Sequence, residues 1–247
     1  MENSFSSAFF YLREYLFPQG CGGCGGALLN TEDSTYGLCK GCRDFLSAAL
    51  EGEERCEICG KPLISERITC LSCRQRANGL ERYSGNLEKL KALFPYRGKY
   101  QAILGAYKFN KSLGVGNFLA QCLVRTIPEF VSTAQGDWTL VPVPPRPGKK
   151  RSQGWDQIEY LAGVLEKTRL MPLNRCLKRL PSRSQKELNR EERGNNLKGR
   201  ILCGKEPPKK AIIFDDVITT GATINACASA LLRGGTEKVY GLCLFYD

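Results

Sequence analysis

Hydrophobic and polar positions follow two alternating periodicities from about residue 88 onward. Short apolar runs at 138–143 and 210–214 are typical of buried strands. The stretches 157–167 and 224–233 instead repeat their apolar residues at helical spacing. Strands that alternate with helices predict an α/β fold with an open, mainly parallel sheet.

The last of these units has the clearest pattern. A strand at 210–214 leads through a turn into a helix that Gly234 and Gly235 end, and a further strand follows at 238–245. Such a strand, helix and strand predict two parallel strands joined by a crossover helix.

Cysteines distinguish the first part of the chain. Eight of the 13 cysteines lie in the first 73 residues, and all eight form Cys-x-x-Cys pairs. The pairs are Cys21/Cys24, Cys39/Cys42, Cys56/Cys59 and Cys70/Cys73. Two such pairs supply the four thiolates of a closed, tetrahedral structural zinc site. We therefore predict two structural zinc ions. The simplest assignment joins neighbouring pairs, and the spacing also allows an interleaved one.

A disulfide framework is the competing interpretation of these cysteines. Five later cysteines lack any pairing pattern, and the apolar N-terminal stretch has neither a basic start nor a small-residue cleavage site. Both observations favour a reducing, cytoplasmic location, where thiols bind metal instead of forming disulfides.

The compositional change predicts three segments: an N-terminal helix at 1–20, a double zinc ribbon at 21–80 and the α/β domain at 88–247. No apolar run approaches the roughly 18 residues of a membrane span, so none is expected. The chain contains no histidine, which excludes Cys–His catalysis, histidine-ligated metals and a Ser–His–Asp triad.

Charge is distributed unevenly. Residues 1–87 carry 9 Lys/Arg and 11 Asp/Glu, whereas residues 88–247 carry 27 and 14. An excess of positive charge in the α/β domain favours a polyanionic ligand, either a phosphorylated metabolite or a nucleic acid. A basic face that merely keeps the protein soluble is the alternative.

The segment AIIFDDVITTGAT, residues 211–223, combines two kinds of binding group. Asp215 and Asp216 follow the predicted strand, and we expect both carboxylates to point toward solvent, a bound Mg²⁺ or ligand hydroxyls. The next turn leads into a helix, so its N–H groups and hydroxyls suit a phosphate. Its residues are Thr219, Thr220, Gly221, Ala222 and Thr223. Carboxylates accept hydrogen bonds from hydroxyl groups, so an acidic pair beside a phosphate-binding turn predicts a sugar phosphate as the ligand. The segment lacks the lysine of a P-loop, which distinguishes it from that motif.

These residues resemble the phosphoribosyl diphosphate (PRPP) signature of type I phosphoribosyltransferases. Together with the Cys-x-x-Cys pairs they resemble the ComF family, which joins cysteine ribbons to a phosphoribosyltransferase domain. Further similarity lies at 107–110, 140–157 and 177–200. Asp156 stands where the family's Gly-Phe-Asn-Gln element has asparagine.

The resemblance implies a pentosyltransferase that binds PRPP and Mg²⁺ and transfers phosphoribose to an unidentified nitrogen acceptor. Asp215 and Asp216 would hold the ribose, and three cations would stabilise the departing diphosphate. Those cations are Lys108, Arg151 and Arg179. The basic turn at 149–151 adds charge for the diphosphate. The alternative is a non-catalytic, PRPP-sensing protein that binds single-stranded DNA or the DNA-uptake machinery in natural transformation.

Overall fold

A computed structural model describes residues 20–51, 56, 63, 65, 67–71, 74, 86–134, 136–181, 199–204 and 206–247, without the side chain of Lys150. Residues 1–19 of the predicted N-terminal helix, and Cys59 and Cys73, lie outside these residues. The chain divides into two compact units, residues 1–52 with 96–123 and residues 53–95 with 124–247. The three segments expected from the sequence stay a prediction.

The first unit is helical in its described part. Its helices are α1 (Thr31–Tyr36), α2 (Lys40–Glu51), α3 (Gly98–Lys108) and the beginning of α4 (Leu113–Val131). Leu38, Leu46 and Ile103 are fully buried at its centre. Arg43 on α2 donates to the Asp33 carboxylate on α1 at 2.6 Å, and this buried ion pair fixes the two short helices together.

The second unit contains an open parallel sheet, which confirms the predicted fold class. Its strands are β1 (Lys89–Pro95), β2 (Thr139–Pro142), β3 (Leu177–Arg179), β4 (Ile201–Cys203), β5 (Lys210–Ile218) and β6 (Lys238–Tyr246). The sheet has the order β1-β6-β5-β2 with every pairing parallel. Strands β3 and β4 form a separate antiparallel ribbon.

Besides the end of α4, the described part of the second unit contains the helices α5 (Lys149–Gln153), α6 (Gln157–Thr168) and α7 (Ala222–Arg233). Helix α6 contacts β2 and β5, and α7 contacts β4, β5 and β6. The central strand β5 is apolar from Ala211 to Phe214 and buried along that stretch, as expected for a strand covered on both faces.

Strand β5 is longer than the sequence predicts. The pairing with β6 continues through Val217 and Ile218, which lie opposite Phe245 and Tyr246. The strand therefore extends past Phe214 to Ile218, and Asp215 and Asp216 lie within it instead of after it.

Candidate functional site

The Asp215 carboxylate and the threonine turn line one small pocket. It lies at the end of β5 and the beginning of α7 and is open to solvent, with about 250 Å³ of empty space that includes this open part. Its lining residues are Asp215, Val217, Ile218, Thr219, Thr220, Gly221, Ala222, Thr223, Ile224 and Cys243. The structure thus brings together an acceptor carboxylate and a helix N-terminus, the two groups that the sequence predicted for a sugar phosphate.

The turn before α7 depends on a glycine. Gly221 has φ 76° and ψ 0°, a left-handed conformation that residues with a Cβ atom adopt at a cost. No side chain caps the helix from this position. The Thr220 hydroxyl accepts a long hydrogen bond, 3.4 Å, from the Ala222 N–H. The first turn of α7 therefore presents its N–H groups and positive dipole end toward the pocket.

Asp216 does not face this pocket. Its side chain is 6% exposed, and its Oδ2 accepts a 2.6 Å hydrogen bond from Gln157 Nε2 on α6. Successive strand residues point to opposite faces of a sheet, so a carboxylate next to Asp215 must point away from it. The expectation that both carboxylates point toward solvent is therefore wrong for Asp216.

Lys149, which is partly buried, bonds to the same group of side chains. Its ammonium lies 2.7 Å from Asp156 Oδ2 and also donates to Gln157 Oε1. Asp156 in turn caps α6 by accepting from the N–H groups of Ile158 and Glu159. Lys149 is thus an internal link, which corrects its expected role as charge for a diphosphate.

Arg179 is buried near Asp215 with part of its guanidinium unpaired. It is 8% exposed, and Nε has no hydrogen-bond partner. Burial lowers the pKa of Arg179, and the positive charge of Arg146 lowers it further, whereas Cys227 and Asp215 oppose this. A buried guanidinium N–H without a partner is a group that a bound anion would satisfy.

The other predicted cations lie on surface segments. Arg151 is exposed on α5, where it lines a groove with Pro145, Arg146, Pro147 and Gly148. Lys108 is the last residue of α3, in the first unit. Arg146 and Gln157 were not singled out from the sequence, although both lie within the 140–157 segment that carries the ComF resemblance.

Cys243, the cysteine among the pocket residues, is not placed to act as a nucleophile. Cys243 pairs with Asp215 across the sheet and is fully buried. Burial, followed by the charges of Asp215 and Asp216, raises the pKa of the Cys243 thiol well above its ordinary value. A neutral, buried thiol is a core residue and not a nucleophile.

The first two cysteine pairs converge on one point. The Sγ atoms of Cys21, Cys24, Cys39 and Cys42 all lie within 4.8 Å of one another. The Cys24 and Cys39 sulfurs are 3.8 Å apart, close to the about 3.8 Å edge of a tetrahedron with 2.3 Å Zn–S bonds. This geometry fits zinc and agrees with the predicted pairing of neighbours.

Backbone hydrogen bonds prepare one of these sulfurs as a thiolate. Burial raises the pKa of Cys21, but N–H groups of Cys39, Gly23 and Cys24 outweigh it and bring the pKa to about 6. The Cys39 N–H donates at 3.3 Å and the Gly23 N–H at 3.4 Å. Burial raises the pKa of Cys39 and of Cys42, so a bound metal would have to displace a proton from each of these thiols.

Of the second cysteine set, Cys56 and Cys70 are described. Both are buried, and Leu63 packs against them. With Cys59 and Cys73 outside the described residues, a second zinc site stays a prediction.

Comparison with known proteins finds one matching family model and several full-length relatives. Residues 12–74 match the double zinc ribbon domain. Competence protein ComFC of Streptococcus pneumoniae is 29% identical over 213 residues, covering 86% of this chain and 88% of that protein. Competence protein F of Haemophilus influenzae is 24% identical over 218 residues, with 85% and 90% covered. ComF proteins are homologues of this chain.

A DNA utilization protein also belongs among these homologues. YhgH of Escherichia coli is 24% identical over 224 residues, covering 85% of this chain and 90% of that protein. The zinc ribbon match and the cysteine cluster together support structural zinc in the N-terminal part. In the described residues, no helix combines the length and apolar character needed to cross a membrane.

Proposed function

We propose that this protein is a cytoplasmic phosphoribosyltransferase that binds PRPP with Mg²⁺ and transfers phosphoribose to a nitrogen acceptor. The observation that carries the proposal is the shared pocket of Asp215 and the 219–223 turn. The names of the ComF homologues support a link to DNA uptake or DNA use. A link to nucleotide metabolism is the other possibility that a phosphoribosyltransferase allows.

Different parts of the substrate bind at the two ends of the pocket. The phosphate remote from the reaction binds the N–H groups and hydroxyls of the threonine turn, where the α7 dipole favours an anion. The ribose hydroxyls donate to Asp215. Asp216 points to the opposite face of β5, where it accepts a hydrogen bond from Gln157.

The diphosphate binds the arginines near β3. Arg179 and Arg146 lie close enough for the charge of Arg146 to lower the pKa of Arg179, and an anion between them would satisfy the unpaired Arg179 Nε. Arg151 lines a groove with Arg146 and adds positive charge there. The ComF resemblance implies Lys108 as a further cation. These groups stabilise negative charge as the C–O bond breaks and its electron pair leaves with the diphosphate. The acceptor nitrogen then bonds to the sugar carbon and releases its proton to solvent.

The donor set of the pocket also fits Mg²⁺. The ion prefers carboxylate oxygens and keeps several waters, and Asp215 offers such an oxygen at the pocket wall. When bound, it neutralises charge on the diphosphate. We assign Asp215 as the residue that holds it, directly or through water.

The cysteines have a structural role in this proposal. Cys21, Cys24, Cys39 and Cys42 bind one zinc ion, and a second ion takes Cys56, Cys59, Cys70 and Cys73. Four thiolates leave no open coordination position, so neither ion contacts substrate.

Calorimetric titration of PRPP, with and without Mg²⁺, tests the proposal on the wild type and on Asp215→Asn. Asparagine keeps the size of the side chain but not its charge, and we expect at least about a 10-fold loss of affinity. Diphosphate release with a panel of amines and bases then identifies the acceptor. Wild-type protein that does not bind PRPP would refute the proposed function.

One observation favours a second function, the binding of single-stranded DNA. Residues 96–123 of the first unit carry four Lys/Arg and no Asp/Glu. Among them Phe109 is 71% exposed and follows Lys108, with Lys111 two positions later. An exposed aromatic ring between basic residues suits base stacking beside a phosphate backbone. A PRPP-responsive DNA-binding protein would use both units without turnover, and steep salt dependence of DNA affinity without diphosphate release would favour it.

A further inference from the structure

The Gln157 side chain links Lys149 on α5 to Asp216, the aspartate that does not line the pocket. Gln157 is 6% exposed, and both ends of its amide are occupied. Nε2 donates to Asp216 Oδ2 at 2.6 Å, and Oε1 accepts from Lys149 Nζ. Asp216 and Gln157 are 59 positions apart in the sequence, so this bridge is a tertiary contact.

The chemistry of the bridge requires an amide. An ammonium only donates hydrogen bonds and an ionised carboxylate only accepts them, so the residue between them must accept at one end and donate at the other. A glutamate side chain would face Asp216 with a like charge, and an apolar residue would leave both partners unsatisfied. The orientation of the Gln157 amide is fixed for the same reason.

The bridge connects two parts of the candidate site. Lys149 begins α5, which carries Arg151 and follows Arg146, the two arginines of the groove. Asp216 is the neighbour of Asp215 on β5. A fixed Lys149–Gln157–Asp216 bridge therefore sets the position of the arginines relative to the carboxylate that lines the pocket.

From this we infer that Gln157 is a positioning residue for diphosphate binding and that Asp216 acts through it as an anchor, not as a substrate ligand. The inference rests on the proposed function. It assigns different tasks to two adjacent aspartates, because Asp215 contacts the ligand and Asp216 holds the basic turn in place.

The test compares three full-length variants: Gln157→Leu, Gln157→Glu and the double variant Gln157→Glu/Asp216→Asn. The double variant reverses the polarity of one hydrogen bond, since the amide introduced on β5 can donate to the carboxylate introduced on α6, which still accepts from Lys149. Leu165→Val, in the buried face of the same helix, is the control for general destabilisation. Hydrogen–deuterium exchange of residues 146–153 reports the turn, and calorimetry reports the affinities for Mg²⁺–diphosphate and Mg²⁺–PRPP.

We expect both single variants to exchange faster at 146–153 and to bind both ligands about 10-fold more weakly. The double variant should recover both properties to within about 3-fold, and Leu165→Val should change neither. Failure of the double variant to recover PRPP binding despite normal exchange would overturn the inference, because Asp216 would then be a ligand itself. Unchanged exchange in the single variants would also overturn it. If wild-type protein binds neither ligand, the proposed function and the binding role of Gln157 both fail, whereas the exchange data still decide whether the bridge holds the turn.

Discussion

Lys149 Nζ lies 2.7 Å from Asp156 Oδ2, in an ion pair whose carboxylate is 3% exposed and whose ammonium is 18% exposed. The same carboxylate caps α6, so it has two separate functions. Asparagine, the residue of the ComF element at this position, would keep the cap but lose the charge. The structure therefore explains why an acid is compatible with this position: Lys149 neutralises it.

Asp156→Asn should consequently lower the free energy of unfolding by about 1–2 kcal/mol. The loss is limited because asparagine still caps α6 and only the ion pair with the partly exposed Lys149 is removed. Urea unfolding measures the change. The control is Asp44→Asn, which removes a pair of similar length, 2.6 Å, whose partners are 77% and 61% exposed. There we expect a loss of at most about 0.5 kcal/mol. If both variants lost the same free energy of unfolding, burial of the Lys149–Asp156 pair would not explain its contribution to stability.

Replacement of Arg179 should weaken ligand binding with little effect on stability. Its guanidinium is buried with Nε unpaired, so Arg179→Met should leave the free energy of unfolding within about 1 kcal/mol of wild type. Affinity for Mg²⁺–diphosphate should nevertheless fall at least about 10-fold, because a charge-assisted contact is lost. Urea unfolding and calorimetry measure the two effects. Lys178→Met, on the exposed face of the same strand, is the control and should change neither property.

Replacement of Gly221 should distort the turn that lines the pocket. Gly221→Ala places a Cβ atom at φ 76° and should cost about 1 kcal/mol or more, and it should weaken PRPP binding by altering the turn. Gly235→Ala, just beyond the other end of α7, is also strained, at φ 104°, and provides the matched control. Both variants should unfold at lower urea, but calorimetry should find weaker PRPP binding for Gly221→Ala alone. Equal PRPP affinities of the two variants would contradict a role of the 219–223 turn in ligand binding.

The sequence predicted the type of each central element better than the direction of its side chains. Apolar runs and helical spacing were enough for β5, β6, α6 and α7, because burial determines those periodicities. The end of β5 was missed because its last pairs depend on β6, and a charged residue such as Asp215 is uncommon inside a strand. That error placed Asp216 in solvent. Gln157 could not be recognised as its partner, since a contact across 59 positions leaves no local pattern.

The metal content of cysteine variants tests the pairing of neighbouring Cys-x-x-Cys motifs. With neighbouring pairs and two bound ions, Cys42→Ser should reduce zinc from about two ions per chain to about one. Cys122→Ser, at a buried cysteine on α4 outside the cluster, should retain both. Mass spectrometry of the purified protein gives the stoichiometry. Loss of both ions from a folded Cys42→Ser variant would contradict two independent sites.

The basic segment of the first unit makes the DNA-binding alternative testable residue by residue. Phe109 is 71% exposed, so Phe109→Ala removes little packing and should leave thermal stability unchanged. If bases stack on this ring, the affinity of Phe109→Ala for a fluorescent single-stranded oligonucleotide should fall by about 1–3 kcal/mol, and Phe109→Trp should retain wild-type affinity.

Lys111→Gln should instead lower the slope of log affinity against log salt by about one unit, because one phosphate contact is lost. Leu202→Ala, at another exposed apolar residue, is the control in the second unit. Wild-type affinity in both Phe109→Ala and Lys111→Gln would exclude this segment from DNA binding and leave the PRPP pocket as the basis for function.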